Sequence, residues 1–192
     1  MGLGKQAKTL NQHQQTAVLN YLSTTRNSIR NQAIFLLSMK AGLRAKEIAN
    51  LKWSMVTDAN RKISDKIELP NEATKGKSGG IVYLAPSLLK VLNEHNANSK
   101  LSEYVIYTER SNKTSAQAIV NMFKGWYLAL GYDGCSSHSG RRTFITNAAR
   151  KIGSVGGSIK DVQLLARHSS LNMTQRYIEA DVEAMKKVVS LV

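Results

Sequence analysis

The chain has 192 residues, with 27 Lys and Arg against 13 Asp and Glu and a formal net charge of +14. That length fits one domain able to bury its own core, and a lone cysteine, Cys135, excludes a disulfide framework and leaves too few thiols for a structural zinc site. The longest apolar stretch, Ala33 to Leu37, is far short of the roughly 18 residues a membrane span needs, and the first residues lack a signal-peptide core. A field this positive attracts polyanions, so the expected partner is nucleic acid and not a membrane, in the cytoplasm.

In chain order, Thr9 is the expected N-cap of a helix through Tyr21 and Leu22, its apolar stripe being Leu10, Ala17, Val18, Tyr21 and Leu22. A second helix is predicted from Arg26 to Lys40, stopped by Gly42, and a short one from Ala45 to Leu51 with Ile48 and Leu51 inward. Past Trp53 the texture changes: short runs at Val56, at Lys66 to Leu69 and at Ile81 to Leu84 alternate with turn residues and predict a small antiparallel sheet. Pro86 is placed to start a helix through His95. Tyr104 to Tyr107 reads as one more strand, Ser115 caps a helix to Leu130, and the remainder is helical with Gly-rich breaks. Trp53 and Trp126 are expected to pack in the core. The fold class is α+β, mostly α-helical with a small antiparallel β-sheet, in a single domain spanning 1–192.

The charge falls in two blocks. Residues 1–46 carry Lys5, Lys8, Arg26, Arg30, Lys40, Arg44 and Lys46 with no acid before Glu47. From Gly134 to Ile178, Arg141, Arg142, Arg150, Lys151, Lys160, Arg167 and Arg176 face the single acid Asp161. Two such segments converging would make a phosphate-binding face. Nucleotide motifs do not account for them. Gly76-Lys77-Ser78 lacks the glycine a Walker loop requires, Asn71 standing there, and the glycines at 153, 156 and 157 lack a preceding strand.

The chemistry concentrates in His138-Ser139-Gly140-Arg141, Arg167-His168-Ser169-Ser170 and Thr174-Gln175-Arg176-Tyr177. His138 and Arg141, three apart, are expected on one helical face, and Tyr177 follows His168 by nine. Upstream, Arg44 follows the helix-ending Gly42, and Lys75 and Lys77 stand just before the strand at Ile81 to Leu84.

This ordered set resembles the tyrosine recombinase (phage integrase) family, whose catalytic residues run Arg, Lys on a β-hairpin, His-x-x-Arg, His, Tyr. The resemblance implies a recombinase catalytic-domain fold, with Arg44, Lys75, His138, Arg141, His168 and Tyr177 as catalytic residues, Glu47 in the acidic position after the first Arg, and Lys77 as the alternate to Lys75. Lys77, Arg142, Arg167 and Arg176 are the expected DNA contacts. Gly140 stands where the family usually has Leu, and Arg167 where it commonly has Gly. The separate helical clamp domain that usually precedes the catalytic one is not expected within this chain.

Cutting a DNA phosphodiester without a metal needs a nucleophile, charge neutralisation on two non-bridging oxygens, and a proton for the leaving 5′-oxygen. Arg44 and Arg141 offer planar forks for the oxygens. Tyr177 can form a 3′-phosphotyrosyl bond that another strand's 5′-hydroxyl reverses, and because a phenol ordinarily titrates near 10 it needs help losing its proton. His138 is the expected partner for that proton, His168 the expected donor to a phosphate oxygen, and Lys75 the expected general acid. No cofactor or metal is implied. The tail Asp181 to Val192, with Val182, Met185, Val189 and Val192 at helical spacing, is too short to hold a helix alone. It needs a surface to pack on, either its own domain or, by the resemblance, a neighbour into which it exchanges within an assembly of up to four protomers on double-stranded DNA. Two other readings compete: a helix-turn-helix regulator, with Ser158 to Ile178 as the motif and Thr174 to Arg176 facing a groove, and a type IB topoisomerase.

Overall fold

The computed structural model describes residues 6–71, 79–97, 102–109, 111–178 and 188–190. Helix α1 spans Gln12–Ser23. Its cap is Asn11 and not Thr9: the Asn11 side chain accepts from the Gln14 N–H at 2.8 Å while the Gln14 side chain accepts from the Asn11 N–H at 3.0 Å, a reciprocal box. Thr9 has Gln12 at the same spacing, but Leu10 between them is tied outside a helix, its N–H donating to Thr143 Oγ1 at 2.9 Å and its carbonyl accepting from Gln15 Nε2 at 3.0 Å. Helix α2 covers Ser28–Ala41 and begins later than Arg26, because the N–H groups of Thr24 and Thr25 still bond back to the end of α1. It ends at Gly42, whose φ of +63° suits glycine. A Cβ there would also lie 2.6 Å from the Phe144 ring.

Ala33, Ile34, Phe35, Leu36, Leu37 and Met39 of α2 are all buried, which is the pattern of a helix surrounded by protein on every side. It packs against α1, against α4 (Pro86–Ala97) and against α6 (Ser139–Lys151). Helix α3 (Ala45–Ala49) rests on α5 (Ala116–Ala129), which Ser115 caps by accepting from the Ala118 N–H at 3.0 Å. Trp126 is buried in this core and Trp53 packs half-buried at its edge.

The sheet has two antiparallel strands, β1 (Lys66–Leu69) and β2 (Gly80–Tyr83), in the register Lys66 opposite Tyr83 and Leu69 opposite Gly80. Ile67, Leu69 and Val82 face the core. Val56 and Tyr104 to Tyr107 are not strands. The Val105 N–H bonds the Leu51 carbonyl and the Trp53 N–H bonds the Glu103 carbonyl, but pairing stops at a single Lys52–Tyr104 bridge, because Trp53–Met55 turns into a 3₁₀ segment that ends at Val56.

The C-terminal third forms a second, smaller core. After α6, a 3₁₀ turn at Ile152–Val155 leads into α7 (Ile159–Ala166) and α8 (Leu171–Gln175). Ile145, Val162 and Ala166 are its buried centre, with Phe144 and Tyr177 packed on it. Among the described residues, no helix is long and apolar enough to cross a membrane.

Candidate active site

Arg141 lies in the first turn of α6 and is only 4% exposed. Its Nη1 donates to the Gly42 carbonyl at 2.6 Å and its Nη2 to the Ala166 carbonyl. Both acceptors stand at helix C-terminal ends, where the dipole favours a cation, so one guanidinium ties the end of α2 to the end of α7. Burial first, then the neighbouring Arg44 and Arg167, pushes its pKa down to about 10, which leaves it cationic at neutral pH.

The counter-charge is Glu47, 1% exposed. Its carboxylate accepts from the Arg44 N–H at 2.8 Å, from Arg44 Nη1 at 2.9 Å and from Arg167 Nη2 at 2.8 Å. Burial alone would push this carboxyl up; Arg167 first, then the Arg44 N–H, the Arg44 charge and Arg141, hold it below its ordinary value. Two guanidiniums therefore share one buried carboxylate, with the Arg141 charge close by. A phosphate ester would answer that imbalance.

His168 follows directly on the α7 C-cap. Its N–H bonds the Gln163 carbonyl at 3.1 Å and its own carbonyl accepts from Gln163 Nε2 at 3.0 Å. The ring meets Thr174 Oγ1 through Nδ1 at 2.9 Å and stacks on the Tyr177 ring with centroids 5.4 Å apart. Burial, then Arg141, Arg44 and Arg167, lowers its pKa to about 4, so the imidazole is neutral at pH 7. Tyr177 is placed by the turn after α8: its N–H bonds the Thr174 carbonyl at 2.9 Å and its carbonyl accepts from Thr146 Oγ1 at 3.2 Å.

Arg141 and Tyr177 line a cleft of about 900 Å³ together with Lys8, Cys135, His138, Arg142 and Arg176. His138 is exposed at the N-cap of α6. It lines the same cleft as Arg141, one turn before it, and its carbonyl accepts from the Arg142 N–H at 2.9 Å. Arg176 is exposed, and the Arg142 guanidinium reaches the Gln6 side chain. Arg167 departs from the expected surface position, its side chain being 4% exposed beneath Glu47. Thr174, expected to face a DNA groove in the regulator reading, is fully buried. Lys75 and Lys77 lie outside the described residues. Sequence reasoning missed the organising role of Glu47, whose signal was its i+3 spacing from Arg44, and the Thr174 contact, for which the sequence carried none. Among the described residues no group of three His, Cys, Asp or Glu gathers as metal ligands do.

Comparison with known proteins bears on the whole arrangement. A tyrosine recombinase, XerA, from Thermococcus onnurineus is 29% identical over 189 residues, covering 94% of this chain and 61% of that protein. The crystal structure of a XerA recombinase superposes with a TM-score of 0.72 at 21% identity, over 100% of this chain and 65% of that one. A structure of the XerH site-specific recombinase bound to its difH substrate, before cleavage, gives 0.74 at 18%, over 99% and 55%. The chain thus spans less than two thirds of each of these proteins, and the two structures show that it shares their fold. The phage integrase family model matches residues 8–184, and with nearly the whole chain inside that match, the protein belongs to the phage integrase family of tyrosine recombinases.

Proposed function

We propose that this chain is the catalytic part of a site-specific DNA recombinase that cleaves and rejoins strands through a 3′-phosphotyrosyl intermediate. The observation that carries the reading is the gathering of four separate stretches of chain around one charge imbalance. Arg44, Glu47, Arg167 and Tyr177 all lie within electrostatic reach of Arg141, and His168 lies against Tyr177. Arg141, fixed by two helix-end carbonyls, and Arg44, at the rim, hold the non-bridging oxygens of the scissile phosphate. Tyr177 attacks phosphorus, its proton passing to His138 at the mouth of the cleft. A neutral His168 that accepts at Nδ1 from the Thr174 hydroxyl keeps Nε2–H to donate to a phosphate oxygen. Lys75, or Lys77 as alternate, protonates the leaving 5′-oxygen.

Cations supply the charge stabilisation, so no metal is needed. Arg142 and Arg176 bind the flanking DNA backbone from the same cleft. The double-stranded DNA substrate and an assembly of up to four protomers on it, linked by exchange of the tail 181–192, complete the proposal; of that tail only residues 188–190 are described. Such a protein works at the nucleoid, in the cytoplasm.

The test is a denaturing gel after incubation with a pool of randomised, nicked duplexes in the presence of a chelator. Wild-type protein should form a covalent adduct and Tyr177→Phe none, while both bind DNA alike. An adduct that persists in Tyr177→Phe would move the nucleophile elsewhere, Tyr132 being next to examine. No adduct from wild type, or one that appears only with magnesium, would refute the metal-free phosphotyrosyl mechanism.

A further inference from the structure

Arg167 sits where the backbone is left-handed, at φ +51° and ψ +47°, a conformation that glycine enters freely and other L-residues enter at a cost. The side chain gained for that cost turns inward. It is 4% exposed, bonds Glu47 Oε2 through Nη2 at 2.8 Å, and leaves Nε and Nη1 buried with no hydrogen-bond partner. Its methylene stem underlies the hairpin: a Cβ on Gly80, the first residue of β2, would lie 3.6 Å from Arg167 Cδ. One side chain therefore bonds the helix that Arg44 caps and lies beneath the start of β2, and it immediately precedes His168.

The carboxylate it grips is shared. Glu47 Oε1 belongs to the Arg44 guanidinium at 2.9 Å, and of the two arginines Arg44 is the exposed one, at 26% against 4%. For Arg44 to turn both η nitrogens toward a phosphate it must loosen that bond. Were it the only partner, a carboxylate 1% exposed would be stranded without a counter-ion, which is strongly unfavourable. Arg167 removes the difficulty, because it neutralises Glu47 from the buried side whether or not Arg44 stays.

We propose that Arg167 is a positioning residue that holds the Glu47 carboxylate from beneath and so releases Arg44 to the substrate phosphate. This inference rests on the recombinase reading above. It gives the buried guanidinium a role in the cleavage step and none in docking DNA.

The experiment combines single-turnover cleavage, DNA affinity across a salt series, and thermal unfolding. Arg167→Gly suits the left-handed backbone and should keep the fold, the DNA affinity and its salt slope, while cleavage falls about tenfold or more. Arg167→Lys, which keeps a cation within reach of Glu47, should restore most of the rate. Arg167→Gln, which keeps bulk but no charge, should fall with the glycine variant. In a Glu47→Gln background, Arg167→Gly should cost less than about twofold more, since its target is gone. Unchanged cleavage in Arg167→Gly, or an equal loss in both backgrounds, would overturn the proposal. Loss of roughly one unit of salt slope would make Arg167 a direct phosphate contact instead. Wild-type protein without any adduct refutes the recombinase reading itself, whereas an active wild type beside an unaffected Arg167→Gly refutes only this inference.

Discussion

Gly140 is the position where a single methyl group should separate packing from catalysis. A Cβ built there would lie 2.2 Å from Ser38 Oγ, 2.8 Å from Ser38 Cβ and 3.2 Å from the Ser38 carbonyl carbon. The contact is the crossing of α6 over α2, and because two of the three atoms belong to or adjoin the α2 backbone, rotating the serine hydroxyl away does not relieve it. Gly140→Ala gains up to about 1 kcal/mol of helix propensity, less here because the residue is in the first turn. Overpacking costs about 1–3 kcal/mol, leaving a net loss of roughly 1–2 kcal/mol. At about 2–4 °C per kcal/mol for a chain of this size, the unfolding midpoint should drop by several degrees. The catalytic effect should be larger. Arg141 is the next residue, and its donors are fixed on the Gly42 and Ala166 carbonyls; an α6 displaced by about 1 Å carries that guanidinium with it, and misplacements of that size cost about a hundredfold in rate. Ser38→Gly removes both clashing side-chain atoms, so the double variant should recover much of the lost stability and cleavage. Thermal unfolding and single-turnover cleavage on the four proteins of the cycle measure both. A Gly140→Ala protein more stable than wild type, or losses that simply add to those of Ser38→Gly, would refute the steric account.

Two further outcomes follow from the site and the tail. The His168 pKa is lowered from 6.5 to about 4 in the folded protein, so the unfolded chain takes up a proton that the folded one refuses: stability is fully present above pH 6.5 and falls as the pH drops toward 4, by on the order of 1–3 kcal/mol once screening in an open cleft is allowed for. In His168→Gln that part of the acid loss should vanish, and an unchanged pH profile would show that the imidazole is not held neutral. Deletion of residues 182–192 should impair strand exchange more than DNA binding, and a truncated protein that assembles and recombines like the intact one would end the exchanged-tail proposal.

Elements whose cause is local were legible in the sequence. Pro86, Ser115 and Gly42 mark helix ends through their own backbone chemistry, and each falls where the pattern puts it. The alternation in Lys66 to Leu69 gives β1 with its buried face. The failures have a cause at a distance. Thr9 and Asn11 are equally good caps, each with a Gln three residues on, until the Leu10 N–H is found donating to Thr143, 133 positions away. Tyr104 to Tyr107 has strand composition, yet its partner segment around Lys52 curls away after one bridge. Motif order and the family resemblance singled out Arg44, Arg141, His168 and Tyr177, which the fold brings close together. Sequence reasoning placed Arg167 on the wrong side of the protein surface, since a cation in a basic stretch reads as solvent-facing unless its partner, 120 positions earlier in the chain, is known.

The same long-range pairing explains why this site can be both buried and cationic. A guanidinium taken out of water needs acceptors, and a site for phosphate cannot satisfy all of its guanidiniums in advance without abolishing its own affinity. With the phosphate proposed above as its ligand, the site would resolve this by dividing the labour. Arg141 is satisfied by neutral carbonyls at two helix ends, which orient it without cancelling its charge. Arg44 and Arg167 share a single carboxylate, so their combined charge is only half answered. What remains is a positive field fixed by the termini of α2, α3 and α7 and by the register of α6 on α2. The small residues at those junctions, Gly42 under Phe144 and Gly140 against Ser38, are therefore as necessary to the charge distribution as the arginines, because they set the distance at which like charges are held together.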